Sequence, residues 1–191
     1  MNTPRPAHGF TIVELLTTIA VLAILAAVAV PSFRSSIASS RLTTTANGYI
    51  SALNQARSEA VRRNASVQFC GSSSTANGAD TLGAACGSNL GSVYVLDASS
   101  GAVSAVVVLP GLSPHISVSN GGNDVPALRY GGQGLAHTLA SSAPYTGLVA
   151  DVSTDQTSTN NHRCVYLLTG SAISSCPMSV SCPANEPPNC Q

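Results

Sequence analysis

The side chains with the most chemical potential in this sequence are six cysteines, three histidines beyond residue 100, and one glutamate set inside an apolar run. Cys70, Cys86, Cys164, Cys176, Cys182 and Cys190 lack the paired CxxC spacing of a zinc site. Their even number instead predicts disulfides and an oxidising compartment. His115, His137 and His162 follow no HExxH or other two-ligand spacing, so no metal site is expected. No serine sits in a GxSxG elbow and no pair of carboxylates stands apart from the loops, which leaves catalysis without a candidate residue. Gly131-Gly132-Gln133-Gly134 could cradle a phosphate if it led into a helix. Strand-like sequence precedes it and no amphipathic helix follows, so it reads as a turn. No cofactor is expected.

Composition narrows the classes further. Charged residues make up 8% of the 191, against about 25% in an ordinary domain, and arginine is the only long cation. With 44% apolar residues, zero net charge and a mean hydropathy of +0.24, the chain is too apolar for a disordered tail. It also has too little net charge for a general polyanion binder. The length suits one ordinary domain with a real core.

The glutamate is Glu14. Residues 15–30, LLTTIAVLAILAAVAV, carry no charge, and extension back to Phe10 leaves Glu14 as the one ionised group of the run. About 21 residues at roughly 1.5 Å each cross a bilayer core of about 30 Å. A cleaved secretory signal needs a shorter apolar core than this, although Ala26 to Ala29 could serve its cleavage site. A plain membrane anchor is the other alternative. An acid at this depth is costly unless paired, so Glu14 is a functional candidate whose partner is a cation at similar depth.

The residues Gly9-Phe10-Thr11-Ile12-Val13-Glu14-Leu15-Leu16, behind a short leader carrying Arg5, resemble the type IV prepilin signature. The resemblance implies a leader, residues 1–9, removed by a dedicated peptidase that cuts after Gly9 and methylates the new N-terminal Phe10. It further implies that Glu14 pairs with the N-terminal amine of a neighbouring subunit during assembly. Two unpaired charges at bilayer depth each cost several kcal/mol, so their meeting favours docking in register.

These residues need elements to carry them. Residues 10–31 form the membrane and assembly helix, and Pro31 removes one hydrogen bond and introduces a kink. Helix resumes over residues 32–64, where Phe33, Ile37, Leu42, Ala46, Tyr49, Ile50, Leu53, Ala56, Ala60 and Val61 recur at three- and four-residue steps and should face a sheet. Arg34, Arg41, Arg57, Arg62 and Arg63 against Glu14 and Glu59 give the helix a net charge of +3. Arg129 and Arg163 against six acids give residues 65–191 a net charge of −4. Such opposition could help subunits stack, with a solvated face and last-turn arginines complementing the helix dipole as the simpler reading.

Beyond residue 64, short apolar runs between Gly, Ser, Asn and Pro predict strands at 66–70, 92–97, 103–109, 115–118, 127–130, 147–152, 163–169 and 172–176. No convincing second helix alternates with them, so the fold class is α+β with an antiparallel head. Cys164 and Cys176 each stand six residues from Gly170, so a hairpin turning there sets them opposite one another. The expected pairing is Cys164 with Cys176, Cys70 with Cys86 and Cys182 with Cys190, one of fifteen arrangements open to six cysteines.

The stretch from Ala52 to Asn64, ALNQARSEAVRRN, followed by the strand to Cys70, resembles the helix end of the GspH/FimT family of minor pilins and pseudopilins. Leu128 to Gly134 and Val165 to Gly170 are similar to its strand, glycine turn and closing hairpin. This implies the type IV pilin fold and a structural rather than enzymatic protein, a single-pass inner-membrane subunit with its head, residues 65–191, in the periplasm. It would enter a type IV pilus or a type II secretion pseudopilus, in a tip or priming position. The implied partners are other pilin or pseudopilin subunits, the prepilin peptidase and methylase, and inner-membrane lipid. The alternative is a DNA-binding minor pilin of the transformation machinery. Some relatives bind DNA through arginines at the final hairpin glycine, but here that place reads Gly170-Ser171-Ala172-Ile173, without arginine. A head of net charge −4 should repel a duplex, leaving Arg129 and Arg163 as the only candidates for a small patch.

Overall fold

A computed structural model describes residues 10–188 and 190. It divides into two units, the first ending at Ile37 and the second beginning at Ala38. One helix, α1 (Ile12–Arg63), contributes to both, running without a break through Pro31.

The second unit is built on the C-terminal half of that helix. Ala38, Leu42, Ala46, Tyr49, Leu53, Ala56 and Ala60 are buried, spaced by steps of three or four, so one stripe of the helix faces the core. Phe33, Ile37 and Val61 lie off this stripe and are exposed, contrary to the expectation that they join it. The stripe begins at Ala38 and is dominated by alanine, which lets the sheets approach the helix closely. The helix ends in a Schellman motif: Asn64 takes a left-handed φ of 48°, its N–H donates to the Val61 carbonyl at 3.4 Å, and the Ala65 N–H donates to the Ala60 carbonyl at 3.2 Å.

Nine strands follow: β1 (Val67–Phe69), β2 (Val93–Leu96), β3 (Val103–Val107), β4 (Ile116–Ser119), β5 (Leu128–Tyr130), β6 (Ala136–Thr138), β7 (Gly147–Thr154), β8 (His162–Leu168) and β9 (Ala172–Met178). All their pairings are antiparallel. They form two sheets, ordered β3-β2-β1-β5-β6 and β4-β7-β8-β9. The eight expected strands are present, and β6 is an addition that the sequence pattern hid behind the glycine turn. One core joins the helix stripe to the inner faces of both sheets, with Val67, Phe69, Val95, Val149, Val152, Val165 and Leu167 among its members. Tyr49 and Phe69 meet edge to face, ring centroids 6.0 Å apart.

The outer faces are covered as well. Over the first sheet lies the segment between β1 and β2, expected as a plain polar loop but containing two short helices, α2 (Ser74–Asn77) and α3 (Thr81–Cys86). Their N-caps are Ser73, whose Oγ accepts from the Ala76 N–H at 3.1 Å, and Asp80, whose Oδ1 accepts from the Gly83 N–H at 2.9 Å. Cys70–Cys86 closes this segment, as expected. Gln68, pointing outward from β1 and fully buried, donates to the Asn77 carbonyl at 2.9 Å.

The second sheet is covered by the tail, and here the expected disulfides need correction. Cys164 and Cys176 do stand opposite one another in the β8–β9 ladder, as the Gly170 hairpin required. They are not bonded to each other: the bridges are Cys164–Cys182 and Cys176–Cys190, and Cys182–Cys190 is likewise not formed. Directly opposed strand residues keep their Cβ atoms about 4.5 to 5.5 Å apart, at or beyond the 3.5 to 4.5 Å a disulfide prefers. A tail passing overhead meets no such limit. Bonding each strand cysteine to a tail cysteine also lays the described part of the tail, residues 179–188 and 190, over Leu148, Tyr166 and Met178, a second small core that would otherwise face water. The tail is further tied by hydrogen bonds from the Tyr166 hydroxyl to the Pro183 carbonyl at 2.9 Å and from the Leu148 N–H to the Ala184 carbonyl at 2.9 Å.

Candidate functional site

The N-terminal stretch of α1 departs most from a soluble protein. Phe10, Ile12, Val13, Leu15, Leu16, Ile19, Val21, Leu22, Ile24, Leu25, Val28 and Val30 are all exposed, and no part of the most apolar window of the helix is buried. A helix apolar on every side is stable only in lipid or inside a larger assembly. Its few hydroxyls are satisfied internally: Thr17 Oγ1 donates to the Glu14 carbonyl at 3.0 Å and Thr18 Oγ1 to the Leu15 carbonyl at 2.8 Å. Such back-bonding suits a medium without water.

Glu14 sits in the first turn of this helix. The Thr11 Oγ1 accepts from the Glu14 N–H at 3.2 Å, while the Thr11 N–H and hydroxyl both point to Glu14 Oε2, at 3.5 and 3.3 Å. This reciprocal arrangement is a capping box, whose signal in the sequence is Thr-x-x-Glu. It holds the carboxylate at the helix mouth, where the dipole also favours an anion. Phe10 precedes the helix and is 75% exposed. Gly9 lies outside the described residues.

At the end of α1 and in the head, Arg57, Arg62, Arg63, Arg129 and Arg163 each have local partners. Glu59 holds both Arg62 and Arg63, with Nε-to-carboxylate distances of 2.7 Å each, and these hydrogen bonds draw its carboxyl down to about 2. Arg57 donates to the Ser171 carbonyl at 3.4 Å, linking the helix to the closing hairpin. Arg129 forks onto Asp80 at 2.6 and 3.1 Å and also donates to Gln68 Oε1. That bidentate pair holds the Asp80 carboxyl below its ordinary range. Arg163 donates to the carbonyls of Asn160 and His162 at 3.0 and 3.1 Å. Arg129 and Arg163 thus stand in different sheets, each with its own partners.

Gly131 to Gly134 forms a turn into β6, with the Gly134 N–H donating to the Gly131 carbonyl at 2.8 Å. Gly134 has φ of 73°, and a Cβ there would stand 2.9 Å from Val61 of the helix, so glycine is required twice over. The three histidines are apart: His115 contacts Asp155 at an exposed edge, His137 the Thr138 carbonyl, and His162 the buried Asp151 at 2.7 Å. Asp151, His162 and Cys182 do converge beneath the tail, a grouping that no sequence spacing could announce because it joins two strands and the tail.

A long apolar N-terminal helix followed by antiparallel sheets closed with disulfides defines the pilin-like class of α+β proteins. Residues 4–30 match the prokaryotic N-terminal methylation motif, and residues 45–171 match the family model of the type II transport protein GspH. Since the second match spans most of the chain, the protein belongs to the GspH family, which the GspH/FimT resemblance anticipated. No curated protein and no solved structure matches it.

Proposed function

We propose that this protein is a structural subunit, a minor pilin or pseudopilin, held in the bacterial inner membrane by residues 10–31 and taken from there into a type IV pilus or a type II secretion pseudopilus. The observation that carries the reading is the conjunction of a helix exposed and apolar on all sides with one capped carboxylate at its mouth. In this mechanism a prepilin peptidase cuts after Gly9, and the enzyme methylates the amine of Phe10. That amine then meets Glu14 of a neighbouring subunit, and the charge pair sets the axial register. The apolar residues exchange lipid for the helices of neighbouring subunits, so extraction costs little hydrophobic free energy. Residues 32–64 carry the amphipathic half of the helix, and residues 65–191 form a periplasmic head that caps or primes the tip.

Intact mass of the membrane-extracted protein tests the processing step. It should correspond to a chain that begins at N-methylated Phe10. A mass that retains residues 1–9 in a host making these filaments contradicts the reading. The alternative of a DNA-binding minor pilin draws no support from the two arginines of the head, Arg129 and Arg163, each of which has a local acidic or carbonyl partner.

A further inference from the structure

Beneath the tail, four metal-ligating side chains converge. The Asp151 carboxylate is only 3% exposed; its Oδ1 lies 2.7 Å from His162 Nδ1, and its Oδ2 accepts the Cys182 N–H at 3.1 Å. The ligand atoms of Asp151, His162 and Cys182 all lie within 4.8 Å of one another. Cys164, opposite Asp151 in the β7–β8 ladder, is bonded to Cys182 and so adds its sulfur to the same point. One oxygen, one nitrogen and two sulfurs form the donor set of a closed tetrahedral zinc site, with the sulfurs at present joined to each other.

We propose that when the Cys164–Cys182 disulfide is reduced, Asp151, His162, Cys164 and Cys182 bind one Zn2+, so that metal fastens the tail in the dithiol state as the disulfide does in the oxidised state. The step balances with a dithiol reductant. It delivers two electrons and two protons to the sulfur–sulfur bond, yielding two thiols, and itself becomes a disulfide. Zn2+ then displaces the two thiol protons to solvent and forms two Zn–S bonds. Re-oxidation by a disulfide, which accepts the two electrons, takes two protons from solvent and becomes a dithiol, restores the Cys164–Cys182 bond and releases the ion.

Three features fit the ion. Two thiolates on one zinc stand about 3.7 Å apart at a Zn–S distance of about 2.3 Å. The Cα atoms are 5.6 Å apart, so rotation of the two side chains supplies this separation without moving strand or tail. The Cys182 N–H holds Oδ2, an outer contact of the kind that orients a ligating carboxylate, and Oδ1 exchanges its contact with His162 Nδ1 for the metal. The charge also balances: Zn2+ with two thiolates and one carboxylate carries a net charge of −1, that of a carboxylate alone. Asp151, His162 and Cys164 lie within the family match, which ends at residue 171, and Cys182 is supplied by the tail beyond it.

The test uses the full chain in detergent, reduced with a dithiol, freed of reductant under anaerobic conditions and titrated with Co2+ as a spectroscopic substitute. One equivalent should produce the intense visible bands of a tetrahedral ion and a sulfur-to-metal charge-transfer band, both abolished by one equivalent of Zn2+. The oxidised chain should produce neither. Asp151→Asn and His162→Ala should each weaken Zn2+ at least about tenfold against a chromophoric chelator. Absence of the bands in the reduced chain, or their persistence in Cys164→Ser/Cys182→Ser, overturns the proposal. X-ray absorption of the zinc-loaded reduced chain needs no substitution: two sulfurs with two nitrogen or oxygen neighbours support the site, and four sulfurs or none refute it.

Discussion

One helix serves two solvents. Residues 38–63 of α1 bury an alanine-rich stripe against two sheets and turn their other side to water. Residues 12–30 of the same helix expose every large apolar side chain. The backbone is identical in the two halves, so the difference lies wholly in patterning: a stripe of period near 3.6 addresses a folded core, and uniform apolarity addresses lipid or other helices. On the proposed function, stability of the head and assembly of the filament lie in separate stretches of one element and should be separable by mutation.

The largest effect should come from the stripe. Leu53→Ala removes a fully buried side chain and should cost the head about 2 to 5 kcal/mol in denaturant unfolding. Leu22→Ala, a similar deletion in the exposed half, should change head stability by less than about 0.5 kcal/mol in the same detergent. Equal losses at both positions would erase the distinction drawn between the halves. A smaller effect belongs to the cap: Thr11→Ala should cost about 0.5 to 2 kcal/mol of local helix stability. It should appear as faster amide exchange in the first turn of α1, with the head unchanged.

The smallest effect is electrostatic. Glu59, drawn from 4.5 to about 2 by Arg62 and Arg63, has a folded-state carboxyl more acidic than its unfolded one. Its contribution is therefore present above about pH 4.5 and lost as pH falls toward 2. Because the arginines reach into solvent, that contribution should stay below about 1 kcal/mol. Glu59→Gln should flatten the stability profile of the head between pH 5 and 2 by this amount and leave neutral-pH assembly intact.

Much of this was legible in the sequence, for identifiable reasons. The apolar run, Glu14 and the stripe from Leu42 to Ala60 are local patterns, and local patterns survive into structure. The β8–β9 register was readable because Gly170 fixed the turn and the turn fixes the pairing. The disulfides of that hairpin were misread because their partners come from a tail whose path depends on an outer sheet face that no single segment reveals. For the same reason the Asp151–His162 pair and the placement of Arg129 and Arg163 in different sheets were hidden. Strand β6 was missed because three residues after a glycine turn give too short an alternation to register.

The central claim is that Glu14 acts in assembly and not in anchoring or folding. Its most direct test is the distribution of wild-type and Glu14→Ala protein between membranes and sheared filaments in a host that makes them. The account predicts both proteins in the membrane in equal amounts and only the wild type in the filaments. Glu14→Ala incorporated at the wild-type level would contradict it.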